Sequence, residues 1–360
     1  MATIHVGKCR SLADIENAVS QMNSQTQDDR FVFPLDFFKA RHSPIYDASR
    51  LQMVVTLARK RLKDGYLDIH PNASPEDAKN AVCSYSPGIA GVRLTRGIRL
   101  GDLVCDRRDV LKAAAEKMQD TDAGNFRDVI RGRALDLICV AASKVQYLRP
   151  LFSSAGIAKK HGEMRSSMDE LVAFVNQQSR ESVPDSLIDA LGSFSSELIQ
   201  NTQDHAVTDH AGTKYLSHVE GLILGWTRLS EDLFAEDFSG NDRLKNYWDA
   251  EAGETASGQT SLRVFEISYF DSGPGLVSRY TGKLVTEMTI EKEKDALLNC
   301  LRHNVSSKPQ NAAGEGLPHV LAELSKIGGL IRIRSGRLSV FNVFSKGDTR
   351  RNHFEFEDWV

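Results

Sequence analysis

One segment in the second half of the chain combines an amide and two carboxylates at helical spacing. In ELIQNTQDHA, Glu197, Asn201 and Asp204 stand at positions i, i+4 and i+7, which share one face of a helix. Such a face can bind a hard cation and activate a water molecule, because Mg²⁺ prefers oxygen ligands and needs few from the protein when phosphates supply the rest. Taken alone, the pattern is more often that of a solvated polar face.

Two later segments combine glycines with the end of a strand or the start of a helix. DSGPG (271–275) directly follows the apolar strand LRVFEISYF. Its carboxylate, Asp271, can accept a hydrogen bond from an exocyclic amine while the glycines let the backbone approach a flat ring. GEGL (314–317) opens a predicted helix, where free backbone N–H groups favour a phosphate. Taken alone, these segments are also typical of a tight turn and of a loop before a helix.

In this order and at these distances, the three segments resemble the motifs of the GHKL superfamily, whose ATP-binding domain has the Bergerat fold. That superfamily includes gyrase B, the ninety-kilodalton heat-shock chaperone, MutL, sensor histidine kinases and anti-sigma-factor kinases. ELIQNTQDHA is similar to its N-box, DSGPG to its D-x-G-x-G adenine box and GEGL to its second glycine box. GGLIRIRSGRLSVF resembles its closing strand pair, in which a Thr or Ser often follows the turn. The resemblance covers residues 165–345.

The resemblance implies a role for each motif in binding ATP and Mg²⁺. Asn201 would be the metal ligand, and Asp271 would accept a hydrogen bond from the adenine amino group. RHNVSSK resembles a lid-side segment of MutL, which implies that Lys308 reaches the phosphates. The nucleotide-binding set implied in this way comprises Asn201, Asp204, Asp271, Gly273, Gly275, Lys308, Gly314, Gly316, Leu317 and Ser339.

Glu197 distinguishes branches of the superfamily. A glutamate at this position is the general base in the hydrolysing branch, which implies a magnesium-dependent ATPase that acts as a conformational switch between the N-terminal domain and a protein partner. His205 also fits the E-x-x-x-N-x-x-x-H arrangement of anti-sigma-factor kinases, so a protein serine kinase stays open. A nucleotide sensor without turnover is the third alternative. A sensor histidine kinase is not expected, because His161 lacks the phosphoacceptor pattern and lies too close to the N-box.

The predicted fold class is α/β, with a two-layer α/β sandwich of the Bergerat type at 165–345 and a tail at 346–360. Residues 1–150 are predicted to form an α-rich N-terminal domain of unassigned type, followed by a linker at 148–162. In that domain the patterns predict helices at 11–23, 49–63, 106–119 and 125–147, an extended segment at 30–38, and loops with short strands at 84–104. Later patterns predict helices at 184–205, 287–303 and 317–327, and strands at 214–229, 261–270, 329–335, 338–345 and 353–357.

Composition limits the other classes of function. The 360 residues are 41% hydrophobic and 26% charged with a net charge of −3, which excludes a wholly disordered chain and gives no general case for nucleic acid. A basic group in the first half, consisting of Arg93, Arg96, Arg99, Arg107 and Arg108, leaves nucleic acid as a minor alternative. Dimerisation and binding of a protein partner both stay open.

The five cysteines are scattered, which indicates free thiols in a reducing compartment. The N-terminus lacks the apolar core of a signal peptide, and no stretch approaches ~20 apolar residues, so a cytoplasmic protein without a membrane span is predicted. The spacings of His205, His210 and His218 fit no standard zinc finger.

Overall fold

A computed structural model describes residues 2–25, 29–39, 43–61, 65–128, 133–176, 183–232, 237–255, 258–302, 316–346 and 354–359. Within these residues the chain is a mixed α/β protein with several sheets, which confirms the predicted class. No helix in these ranges is long and apolar enough to span a membrane.

The first part of the chain folds around a five-stranded sheet whose strands follow sequence order. Strands one to four are parallel, and the fifth is antiparallel. The elements are β1 (Thr3–His5), α1 (Leu12–Ser24), β2 (Arg30–Phe33), α2 (Asp36–Lys39), α3 (Pro44–Arg61), β3 (Leu67–Ile69), α4 (Pro75–Val82), α5 (Ser86–Leu94), β4 (Gly97–Leu100), β5 (Leu103–Asp106) and α6 (Arg107–Ala123). The extended segment predicted at 30–38 is β2 in its first part, but its last residues form the short helix α2. The short strands predicted within 84–104 include β4. The sequence did not predict the sheet as a whole, because strands of three or four residues are too short to display a two-residue period.

Two helices of this part begin at caps of different kinds. Ser11 is the predicted N-cap of α1, and its hydroxyl accepts a hydrogen bond from the Asp14 N–H at 3.0 Å. Helix α3 begins at Pro44, before the predicted start, because its first turn is capped from a distant strand. The Glu266 carboxylate accepts bonds from the Ser43 hydroxyl at 2.8 Å and the Ile45 N–H at 3.1 Å.

Helix α5 corrects the first part of the segment 84–104, for which loops and short strands were predicted, whereas β4 confirms a short strand in its second part. The glycines of α5 suggested turns, yet they allow close packing of a buried helix. A Cβ on Gly88 would lie 2.6 Å from Val82 Cα, and one on Gly91 would lie 2.6 Å from a methyl of Val54. The Asp136 carboxylate accepts the N–H of Ser86 at 2.8 Å and so caps the helix.

The second part of the chain contains two larger antiparallel sheets, in the orders β10-β11-β9-β6 and β12-β13-β14, and a short hairpin of β7 and β8. The elements are β6 (Ala134–Val140), β7 (Phe152–Ser154), β8 (Ile157–Ala158), α7 (His161–Val175), α8 (Asp185–His205), β9 (Val219–Ser230), α9 (Asp242–Glu251), β10 (Gly253–Glu254), β11 (Thr260–Asp271), α10 (Leu276–Thr281), α11 (Ile290–Arg302), α12 (Gly316–Ile327), β12 (Gly329–Ser335), β13 (Leu338–Phe344) and β14 (Glu357–Asp358). The predicted helices and strands between 184 and 345 are confirmed to within a few residues. Residue 303, the last of the helix predicted at 287–303, lies outside the described ranges.

Strand β6 corrects the helix predicted at 125–147. Its run LDLICV is buried throughout, and it pairs with β9 along its whole length. A short apolar run buried on both faces does not show the period that separates strand from helix. Because β6 precedes the predicted linker, a strand of the first 150 residues completes a sheet of the second part.

The β10-β11-β9-β6 sheet is covered on both faces. On one face, Tyr269 of β11 bonds Ser195 of α8 through their hydroxyls at 2.6 Å. On the other face, Glu266 of β11 caps α3, as described above. Helix α8 therefore lies against one side of β11 and α3 against the other.

Candidate functional site

A cavity of about 3030 Å³ is lined by α8, α12, β11 and β12, and it extends along α1 and α3 as well. Strands β11 and β12 both line it, and within the described residues they do not pair with each other. Its lining includes the following predicted site residues: Glu197, Asn201, Asp271, Gly273, Gly275 and Leu317. Residues from all three motifs are thus brought to one cavity, although the motifs are far apart in the sequence.

Helix α8 presents Glu197, Asn201 and His205 to the cavity at intervals of four residues. The side chains of Glu197 and Asn201 make no hydrogen bond with any described residue, so their oxygen atoms remain available to a ligand. Asp204 differs from its expected position, because it does not line the cavity. Its Oδ1 accepts a hydrogen bond from the Gln200 amide at 3.0 Å along the helix surface.

The turn at residues 271–275 is the point where α8, β11 and β12 converge. The exposed Asp271 carboxylate accepts the N–H of Gly273 at 2.7 Å, which closes a tight turn. Gly275 has a φ of +85°, a conformation that favours glycine, and a Cβ there would lie 3.0 Å from Ser335 Oγ. That Oγ also accepts the N–H of Leu276 at 2.9 Å, which ties the turn to the end of β12.

Gly273 is required by the close approach of the turn to α8. A Cβ at this position would lie 2.7 Å from both Cα and Cβ of Ala206. We expect Gly273→Ala to destabilise the fold by about 1–3 kcal/mol, because the turn must move away from the helix end. For a chain of 360 residues the thermal midpoint should fall by about 1–2 °C for each kcal/mol.

Gly162→Ala is the matched control for that substitution. Gly162 lies in the first turn of α7, where an added Cβ meets nothing within 4 Å. Alanine there should leave the midpoint unchanged or raise it slightly. Equal midpoints for wild type and Gly273→Ala would contradict the close approach of the turn to α8.

The remaining predicted site residues are distributed differently. Gly316 is the first residue of α12, and Lys308 and Gly314 lie outside the described residues. Ser339 does not line the cavity, because it is buried on β13 opposite Arg334. The serine that contacts the turn is Ser335, at the end of β12. Its place directly before the Gly336 turn is the sequence signal that could have identified it.

Sequence reasoning also missed a cationic side chain that supports the turn from the first part of the chain. Arg59 of α3 donates to the Ser272 carbonyl at 3.0 Å, to the Ser272 hydroxyl at 3.1 Å and to the Ser217 carbonyl at 2.9 Å. Its guanidinium carbon lies 3.8 Å from the ring centroid of Tyr215. Burial lowers the pKa of Arg59 and raises that of Tyr215. Arg59 is more than two hundred residues from the turn, so no local pattern indicates the contact.

The donor set of the cavity fits a magnesium ion held with phosphate. Asn201 supplies an amide oxygen, and Glu197 places a carboxylate one helical turn away. Among the described residues, no group of three or more His, Cys, Asp or Glu side chains is arranged to hold a metal by itself. His218 is buried, with its Nδ1 at 3.1 Å from the Ser272 hydroxyl and its Nε2 at 3.6 Å from the Glu220 carboxylate.

Three arginines of the basic group are engaged within the protein. Arg99 donates to both carboxylate oxygens of Asp68, at 2.6 and 2.9 Å. Arg93 donates to the Ala141 carbonyl at 2.8 Å, and Arg107 donates to the carbonyl of Arg93 at 3.1 Å. These contacts tie the three guanidinium groups to the fold.

Comparisons with protein-family models, with curated proteins and with solved structures found no match to this chain.

Proposed function

We propose that this chain binds ATP together with Mg²⁺ and hydrolyses it, and that residues 165–345 form an ATP-binding domain of the Bergerat type. The observation that carries the proposal is the convergence of three distant motifs on one cavity. The end of α8, the turn at 271–275 and the start of α12 all contribute to its lining. The resemblance to the GHKL superfamily rests on the same motifs, in the same order.

In the proposed complex, the Asp271 carboxylate recognises the adenine ring. One of its oxygens accepts the Gly273 N–H, which fixes the orientation of the side chain. The other oxygen can then accept a hydrogen bond from the adenine amino group. Because Gly273 and Gly275 carry no side chain, the ring can lie close to the backbone of the turn.

The phosphates extend from the turn toward Asn201 and Glu197 on α8. Asn201 would hold the Mg²⁺ ion, which neutralises phosphate charge when it is bound. Glu197 lies one helical turn before Asn201 and takes the proton of the attacking water as a general base. The N–H groups at the start of α12 face the anionic end of the nucleotide.

The proposed role of turnover is a conformational switch between the N-terminal part and a protein partner. This part of the proposal is supported by the contacts that join the two parts of the chain. Glu16 of α1 forms ion pairs with Arg332 and Arg334 of β12, whose side chains are buried. Gln52 of α3 donates to the Arg334 carbonyl at 3.1 Å. A change at the edge of the cavity formed by β12 therefore reaches α1 and α3 directly.

A protein serine kinase of the anti-sigma type is the second candidate, because His205 lines the cavity four residues after Asn201. In that reaction the γ-phosphate would pass to a hydroxyl of a partner protein. Phosphate released by the protein alone favours hydrolysis. Labelled phosphate on a partner favours the kinase, and ATP binding without either favours a sensor.

Asp271→Ala tests the adenine assignment. We expect ATP affinity measured by calorimetry to fall roughly ten- to a hundredfold, a loss of about 1.4–2.7 kcal/mol, because a group built to bond the amino group is gone. Asp295→Ala on the exposed side of α11 is the matched control and should bind ATP as wild type does. Unchanged affinity in a folded Asp271→Ala protein would remove the adenine assignment.

A further inference from the structure

Hydrogen bonds connect helix α3 to strand β11 near both ends of the helix. Near the start of α3, Glu266 of β11 accepts the Ile45 N–H at 3.1 Å. Near the end of α3, Arg59 donates to the Ser272 carbonyl at 3.0 Å, one residue after β11. The fourteen steps from Ile45 to Arg59 span about 21 Å of helix, and the six steps from Glu266 to Ser272 span about 20 Å of strand. The helix therefore lies along the strand with both ends fixed.

Near the C-terminal end of α3, the Arg59 guanidinium donates hydrogen bonds from two of its nitrogen atoms, in a forked arrangement. Its Nε donates to the Ser272 carbonyl, and its Nη2 donates to both the Ser272 hydroxyl and the Ser217 carbonyl. The fork thus joins the residue after Asp271 to the segment that leads into β9. Tyr215 covers the guanidinium plane and limits its movement. Such a planar, multiply bonded contact fixes geometry as well as charge.

Ser272 lies within the proposed adenine-binding turn, directly after Asp271, so its contacts restrict the position of that turn. Its hydroxyl accepts the Val219 N–H at 2.9 Å and the Arg59 donor at 3.1 Å, which leaves its proton for His218 Nδ1. Ser272 is completely buried, whereas the neighbouring Asp271 is exposed. The position of the Asp271 carboxylate is therefore set from behind by a buried serine that Arg59 holds.

We propose that Arg59 is a positioning residue for the adenine-binding turn. The N-terminal part of the chain would then support the nucleotide site from the side of the turn that faces α3. This inference rests on the proposed function and adds a residue to its binding site. The coupling is reciprocal: nucleotide bound at Asp271 stabilises the contact of α3 with the turn, and α3 in that position strengthens adenine binding.

The test compares ATP and GTP binding, because adenine carries an amino group at C6, where guanine carries a carbonyl oxygen that cannot donate to Asp271. We expect Arg59→Ala to weaken ATP binding roughly tenfold, about the net contribution of a hydrogen bond to a charged group, while GTP binding hardly changes. Arg59→Lys keeps the charge and loses the fork, so it should lose the preference for ATP as well. Arg108→Ala is the matched control: it removes an exposed arginine of α6 that does not line the cavity, and it should leave the preference unchanged.

A double-mutant cycle with Asp271→Ala separates positioning from general destabilisation. If Arg59 acts through the turn, adding Arg59→Ala to Asp271→Ala should cost no further ATP affinity. Equal weakening of ATP and GTP, additive losses in the cycle, or full rescue by Arg59→Lys would overturn the inference. If Arg59→Ala does not fold, Arg59→Lys carries the same comparison. If the wild-type protein binds neither nucleotide, the proposed function and this inference are both overturned. If the wild type prefers ATP and Arg59→Ala keeps the same preference, this inference alone is overturned.

Discussion

Phosphate release by Glu197→Ala is expected to fall at least a hundredfold while ATP affinity stays nearly unchanged. Glu197 lines the cavity one helical turn before Asn201, with no hydrogen bond to another described residue. As a general base it would contribute about 10²–10⁴-fold to the rate of hydrolysis. It would make no essential contact with ATP in the ground state, so binding should survive its loss.

Single-turnover phosphate release and calorimetry on the same protein measure the two quantities separately. Glu197→Gln keeps the size of the side chain and should lose turnover to a similar degree, because the amide does not accept the proton. Glu163→Ala on the exposed surface of α7 is the control and should hydrolyse ATP as wild type does. Turnover of Glu197→Ala at the wild-type rate would show that another residue activates the water.

Asn201→Ala is expected to abolish the magnesium dependence of nucleotide binding and turnover. Asn201 is the amide that the proposal assigns to the metal, and the described part of the chain has no cluster of His, Cys, Asp or Glu that could take its place. ATP titrations with Mg²⁺ and with excess chelator should therefore give nearly the same affinity for this variant. The wild type should bind ATP more tightly with Mg²⁺ present.

Asn201→Asp is the informative companion of that variant. Aspartate keeps an oxygen at the same place on α8, so nucleotide binding by Asn201→Asp should again depend on Mg²⁺. If Asn201 had only a structural role, Asn201→Asp would show no such dependence. An unaltered effect of Mg²⁺ on Asn201→Ala would contradict the assignment. Metal held instead by His205 and His210 in a metal-bound structure would also contradict it.

The sequence was most informative where local pattern decides the structure. Helix α8 carries an apolar stripe of Leu187, Leu191, Phe194 and Leu198. The spacing of this stripe predicts both the helix and its approximate length. The turn after β11 was readable because Gly273 and Gly275 follow a continuous apolar strand. These two segments supply much of the described part of the candidate site, and they converge because Gly273 allows the turn to lie against Ala206.

Long-range contacts decided the parts that the sequence did not reveal. Helix α5 is stabilised by packing around Gly88 and Gly91 and by a cap from Asp136, fifty residues from Ser86. Strand β6 is a strand because β9 pairs with it. The same limit explains why the contact of Ser335 with the turn was not predicted, since Ser335 and Leu276 are 59 residues apart in the sequence.

The first part of the chain contributes contacts to the proposed site. Glu266 fixes the start of α3, Arg59 fixes its end at Ser272, and Glu16 holds two arginines of β12. A nucleotide that orders the turn and the edge of β12 would therefore order α1 and α3 as well. Hydrogen exchange of α3 amides should slow when ATP binds, and the slowing should be smaller in Arg59→Ala.

A structure of the protein with a non-hydrolysable ATP analogue and Mg²⁺ tests the central claim most directly. We expect the adenine amino group within hydrogen-bond distance of the Asp271 carboxylate, the metal on the Asn201 amide oxygen, and the Glu197 carboxylate facing the γ-phosphate. A nucleotide bound away from the turn at residues 271–275, or a cavity that stays empty at saturating nucleotide, would contradict it.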